Sequence, residues 1–185
     1  MHPIFFTLWS PMHVNELTTA EYSSHYTTYI QLVSSEYNLV EELEISLHRF
    51  IKFVQNIPLD KFDYRYADGK WTIKEIIQHL MDAERIFAYR ALRFARNDKT
   101  ELPGYDENAF AFHINPRANT RKLPEMLSEF TLIRQSSIAL FQTFTADELK
   151  RGGIASQATS SVRAIGFIII GHQNHHQHIF EARYL

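Results

Sequence analysis

GKWTIKEIIQHLMDAERIFAYRALRFARN, residues 69–97, carries the sharpest helix-start signal in the chain. Thr72 takes the N-cap position and Glu75 follows three residues on, so each side chain can bond the other's backbone N–H. Trp71 before the cap and Ile76 in the next turn form the matching hydrophobic staple. Ile76, Leu80, Ala83, Phe87 and Phe94 continue one face at helical spacing, and the pattern ends near Asn97. A long helix with one apolar stripe needs partners, and the flanking sequence supplies three. Upstream, Leu39, Val40, Leu43, Leu47, Phe50, Ile51 and Val54 mark a helix from about Tyr37 to Gln55, followed by Pro58. Downstream, Leu123-Pro124 opens a third helix with Met126, Leu127, Phe130, Ile133, Phe141 and Phe144 on its buried face. Thr145 and Glu148 make a second capping box for one short helical piece. Gly152-Gly153 and the Ser/Thr/Gln stretch after it read as a connection, and the fourth helix runs from after Ser160-Ser161 towards the C-terminus.

Between the second and third helices, Asp98 to Arg121 reads as a long loop punctuated by Pro103-Gly104, Asn115-Pro116 and Asn119. Loops of this length in a compact domain are uncommon and often functional. No long segment alternates at the strand period. The expected fold is all-α: an antiparallel four-helix bundle with a long crossover loop between helices 2 and 3.

Composition narrows the function classes. At 185 residues, 45% hydrophobic and 22% charged, the chain is an ordinary globular domain rather than a disordered one. Residues 1–17 read as an N-terminal tail and 18–185 as the domain. The start, MHPIFFTLWSPMH, has no basic opening and no small-residue cleavage site. Met12 would serve equally well as initiator, so residues 1–12 read as a loose tail or an overlong start. No apolar run reaches the roughly 18–20 residues of a membrane span. Nineteen Lys plus Arg against 21 Asp plus Glu argue against nucleic acid as a partner. Arg85, Arg90, Arg93, Arg96 and Lys99 read instead as surface charges paired with Asp and Glu. There is no cysteine, which removes disulfides, thiolate catalysis and Cys-ligated metal, and agrees with a cytoplasmic protein.

Any transition-metal site must therefore use His, Asp or Glu. Four of the ten histidines fall in the last fourteen positions. At about 100° per residue, with His172 at zero, Ile165 lies near +20°, Ile168 near −40°, Ile169 near +60° and Ile179 near −20°. His172 is thus at the centre of the apolar stripe, and His176, at about +40°, is inside it. His175 sits at the edge and His178 points away. Two imidazoles at i and i+4 on a buried face can share one metal ion. The alternative is two buried polar rings that cost roughly a few kcal/mol unless hydrogen-bonded. The zinc-protease pattern is absent, since Gln173 stands where its Glu would be, and so is the Glu-x-x-His spacing of di-iron bundles. His79, at the edge of the second helix's stripe, is the best third ligand. Glu75 and Asp82, one turn either side, could orient its second nitrogen or could be solvated helix charge. His48 and His113 are weaker candidates. There is no G-x-S-x-G nucleophile elbow.

Taken in order, Gly69-Lys70-Trp71-Thr72-Ile73-Lys74-Glu75, Gln78-His79-Leu80, Asp82-Ala83-Glu84-Arg85 and Gly171-His172-Gln173-Asn174-His175-His176 resemble the DinB/YfiT-like superfamily of metal-dependent proteins. Ala91 to Asp98 and Leu102 to Glu107 fit a bacterial subgroup of it, and the resemblance covers about Thr18 to the end. It implies a four-helix bundle, usually a homodimer, with one divalent ion (zinc, nickel or iron) on His79, His172 and His176. Characterised members of such a family are thiol-dependent transferases and an isomerase. The expectation is an enzyme that uses the metal to activate a low-molecular-weight thiol or water against a small-molecule substrate, with S-transfer favoured over hydrolysis. The alternative is a metal-containing binding or stress-response protein without turnover. Gln173 departs from the acidic residue often found there in the subgroup. No residue is assigned as catalytic beyond the metal ligands.

Overall fold

The computed structural model describes residues 12–185. Four long helices form the bundle: α2 (Leu39–Gln55), α3 (Ile73–Ala95), α5 (Leu123–Gln142) and α7 (Val162–Arg183). Short helices α1 (Thr27–Ile30), α4 (Glu107–Thr120) and α6 (Ala146–Lys150) and a hairpin of β1 (Gly152–Ala155) and β2 (Ala158–Ser161) complete it. The expected capping boxes form. Thr72 Oγ accepts from the Glu75 N–H at 3.2 Å, and Glu75 accepts from the Thr72 N–H at 2.7 Å. Thr145 and Glu148 do the same for α6.

Both α2 and α3 pack against α5 and α7, which puts α2 diagonal to α3 and α5 diagonal to α7. One apolar cluster holds the C-terminal half of α2 and the start of α3 with the start of α5 and the end of α7. A second holds the opposite ends. The pairs α2/α5 and α3/α7 are therefore antiparallel, while α3 runs parallel to α5. A chain that joins two parallel neighbours must cross the length of the bundle. The segment read as a long loop does this, but not as a loop: α4, 14 residues and about 21 Å long, carries it back along α3. Asp106 starts α4 by accepting from the Asn108 and Ala109 N–H groups. The connection at Gly152 also differs from its reading. It is an antiparallel hairpin whose two turn residues, Ser156 and Gln157, have positive φ of 52° and 61°.

A polar layer divides the two clusters, with one residue from each long helix. Arg134 of α5, 1% exposed, donates to both oxygens of Glu84 on α3 at 2.8 and 3.0 Å. It also donates to Ser46 Oγ and Leu43 O on α2 and to Gln173 Oε1 on α7. All five N–H groups of the guanidinium have acceptors, and Gln173 closes the circuit by donating to Ser46 O at 3.0 Å. With Glu84 and Arg134 already balanced, a neutral residue at 173 keeps the layer neutral.

Of the segment read as a tail, residues 1–11 lie outside the described residues, and residues 12–17 pack on the bundle. Met12 and Val14 are buried, and Met12 O accepts from the Leu39 N–H at 2.8 Å. Ile77, Phe167 and Ile170 lie off the main helix stripes. Each is fully buried within the chain, because α3 and α7 are covered on several sides. Among the described residues no helix is long and apolar enough to cross a membrane.

Candidate metal centre

The histidine cluster stands at the edge of the polar layer, where α3 and α7 face each other. His79 comes from the second turn of α3, and His172 and His176 from successive turns of α7. Their ring nitrogens converge: His172 Nε2 is 3.0 Å from His79 Nε2 and 3.1 Å from His176 Nε2, and one nitrogen from each ring lies within 4.8 Å of the others. His172 is 6% exposed and the other two are half-buried. Burial pushes the His79 imidazolium down to about 4, and it holds His172 and His176 well below the usual histidine range, with the neighbouring rings adding repulsion. At neutral pH all three rings are uncharged.

An uncharged Nε2 offers one in-plane lone pair or one hydrogen, not both. His172 Nε2 faces two other nitrogens and can satisfy only one by hydrogen bonding. Three lone pairs aimed at one point suit a divalent cation, so the donor set fits a metal. No carboxylate joins the cluster among the described residues.

Gly171 makes the neighbouring contact. A Cβ there would come within 2.1 Å of Tyr29 O, so α1 lies directly on α7 beside the first histidine. The Tyr29 ring then stands 5.2 Å from those of both His172 and His175. His175 faces Tyr29, outside the cluster, and His178 is exposed, as helix phase predicts. His48 and His113 are exposed and belong to other faces. Glu75 and Asp82 do not orient His79. Glu75 is held by Arg65 at 2.6 and 2.7 Å and by Asn119 at 2.6 Å, and Asp82 accepts from Gln78 at 3.0 Å. The ring beside His79 is instead Trp71, 5.1 Å away.

A cleft of about 250 Å³ reaches His176 between Trp71, Ile76, Ile179, Tyr66 and Tyr184, with Asn108 of α4 on its wall. Phe112, Asn115, Pro116 and Asn119 of α4 line an adjoining recess of about 460 Å³. The long segment between the second and third helices of the sequence reading thus lines both recesses as a helix. A larger groove of about 500 Å³ between α2 and α5 contains no residue of the cluster.

Comparison with known proteins agrees with this architecture. YfiT of Bacillus subtilis (strain 168) is 25% identical over 153 residues, which cover 77% of this chain and 79% of YfiT. The solved structure of YfiT, described as a probable metal-dependent hydrolase with an unusual four-helix bundle topology, superposes with a TM-score of 0.65 at 23% identity. That superposition covers 77% of this chain and 82% of YfiT. The sequence pattern of the DinB superfamily matches residues 42–180, from the first turn of α2 to the last turn of α7. With all three histidines inside that span, the chain belongs to the DinB superfamily.

Proposed function

We propose that the chain is a metal-dependent enzyme in which His79, His172 and His176 hold one divalent cation, zinc, nickel or iron, and that it joins a low-molecular-weight thiol to a small electrophilic substrate. The observation that carries the reading is the convergence of three uncharged Nε2 atoms at one point. A divalent ion there would lower the pKa of a bound water or thiol and supply a nucleophile near neutral pH. The protein's part is to keep the imidazoles unprotonated by burial and to wall the approach with Trp71, Ile76 and Ile179. The absence of a carboxylate from the cluster, among the described residues, favours a nucleophile that needs no side-chain base, as an acidic thiol does. The description of YfiT favours a second reading, hydrolysis by activated water.

Metal analysis of the purified protein and of His172→Ala comes first, and the variant is expected to lose the metal. The zinc- and nickel-loaded proteins are then assayed with a thiol plus an aryl halide and with a nitrophenyl ester alone. Thiol-dependent consumption of the halide supports transfer, and ester cleavage without thiol supports hydrolysis. A loaded protein that turns over neither is a metal-binding protein and overturns the enzyme reading. The homodimer suggested by the resemblance belongs to the same proposal, and light scattering at micromolar concentration tests it.

A further inference from the structure

Three arginines are buried in the bundle, and they are not alike. Arg134 and Arg163, 1% and 7% exposed, each hold a carboxylate in two hydrogen bonds, from Glu84 and Glu21. Arg90, 6% exposed, has no carboxylate within salt-bridge distance among the described residues. Its Nη2 donates to Ser156 Oγ at 2.8 Å and, at 3.5 Å, to Pro103 O, and the Tyr26 hydroxyl is its other polar neighbour. A guanidinium does not shed its proton, so its burial without an anion has a cost that a bound anion would relieve.

The position of Arg90 shows where such an anion would sit. Eleven residues separate it from His79, which returns it to the same face of α3 after three turns, at about 20°. Its guanidinium lies 6.0 Å from the Phe87 ring and 6.0 Å from the Tyr105 ring. Phe87 in turn stands 6.2 Å from the His172 ring, so the guanidinium is at most about 12 Å from that ring. Tyr26 stands 6.2 Å from Phe87, and Tyr29 lies 6.2 Å from Tyr26, which completes an aromatic wall from Arg90 to His172. The Tyr184 hydroxyl donates to Trp71 O, whereas neither Tyr26 nor Tyr105 donates a hydrogen bond among the described residues. Tyr26 and Tyr105 therefore have free donors. Burial raises both phenols, and Arg90 pulls against it, so both keep their protons. The negative groups facing this corner are Glu107 at the start of α4 and Asp82 on α3, neither within 4 Å of Arg90.

We infer that Arg90, with the hydroxyls of Tyr26 and Tyr105, binds a carboxylate carried by the thiol or by its small-molecule substrate, and so selects anionic molecules for the three-histidine site. This inference rests on the proposed metal reading, since the anion is placed by its distance from His172. A carboxylate suits the planar, two-pronged geometry of an arginine and the donors beside it.

The test uses the cobalt(II)-loaded protein, titrated with a series of ω-mercaptocarboxylates from mercaptoacetate upward, each beside its amide. The sulfur-to-cobalt charge-transfer band reports binding. At the chain length that spans the two groups, the carboxylate should bind about tenfold more tightly than its amide. Arg90→Met should abolish that preference, Arg90→Lys should keep part of it, and Ser156→Ala, which removes only the structural partner, should preserve it. Equal affinity for acid and amide at every length, with an intact cobalt spectrum, overturns the inference. A protein that gives no cobalt spectrum overturns the metal reading instead. The anion site is then judged by stabilisation of the metal-free protein with glutarate. Stabilisation lost in Arg90→Met supports the site, and no effect on the unmutated protein refutes it.

Discussion

Gly171 shows how much one hydrogen atom in place of a methyl group can decide. Tyr29 O occupies the space a Cβ would need, so Gly171→Ala must push α1 away from α7 next to His172. The expected cost is about 1–3 kcal/mol, as for other overpacked sites. Urea unfolding should show the loss, and titration calorimetry should show weaker zinc binding than in the unmutated chain. His172 and His176 were readable as a pair from sequence because helix phase is a local property: about 100° per residue places both on one stripe and turns His175 aside. The partners of Glu75 were not readable, unlike the Gln78–Asp82 pair four residues apart on one helix. Glu75 is taken by Arg65 and Asn119, from outside its own helix, and Asp82 by Gln78 rather than by the histidine one turn away. Charge pairing across elements depends on which helices become neighbours, and periodicity says nothing about that.

The four long helices were plain because each carries an apolar stripe and three have visible boundary signals, whereas α4 has neither a stripe nor a stop. Its buried residues are Ala111 and Ala118 alone, while Phe110 and Phe112 face outwards and Pro116 lies inside it. Its hold on the bundle is largely polar and concentrated at the C-terminal end. Asn119 Nδ2 donates to Glu75 at 2.6 Å, Thr72 Oγ donates to Asn119 Oδ1 at 2.7 Å, and Lys74 donates to Asn119 O at 3.1 Å. Asn119→Ala is expected to free α4 without unfolding the bundle. Hydrogen exchange over residues 107–120 should quicken severalfold while α3 and α7 stay protected; unchanged exchange would show that the hold lies elsewhere. The hairpin escaped notice for a related reason. Its turn is Ser156-Gln157 rather than a glycine-bearing pair, and strands of four residues give too few alternations to read. Arg134 belongs at this scale too, since it ties all four long helices at one level. Arg134→Met should destabilise the chain by about 3–5 kcal/mol because Glu84 is left buried and charged. Adding Glu84→Met should recover much of that loss, and denaturant midpoints of the single and double variants decide it.

Across the whole molecule, the N-terminal segment is fastened by charge. Burial alone would raise the Glu21 carboxyl, but hydrogen bonds from Arg163, the Thr18 N–H and Ser161 bring it down from 4.5 to about 2. A carboxyl more acidic in the folded chain stabilises the fold above its unfolded pKa, and that contribution is lost as pH falls from about 4.5 to about 2. Allowing for solvent at this half-buried site, the effect is about 1–2 kcal/mol. Arg163→Met should therefore be less stable than the unmutated chain at pH 7, and the gap should narrow through that acid range. A gap independent of pH would assign the effect to packing. The separation of the proposed ligands along the chain has a further consequence. His79 and His172 are 93 positions apart, so their site exists only once α3 and α7 have docked. An ion held there as proposed would act as a reversible cross-link that the unfolded chain lacks, apart from the weaker grip of the His172–His176 pair. Binding to the folded state alone adds about 2.7 kcal/mol when free metal stands at a hundred times its dissociation constant. Melting temperature should then climb with the logarithm of free zinc and drop on chelation, and His79→Ala should flatten that dependence, making heat resistance a readout of metal supply.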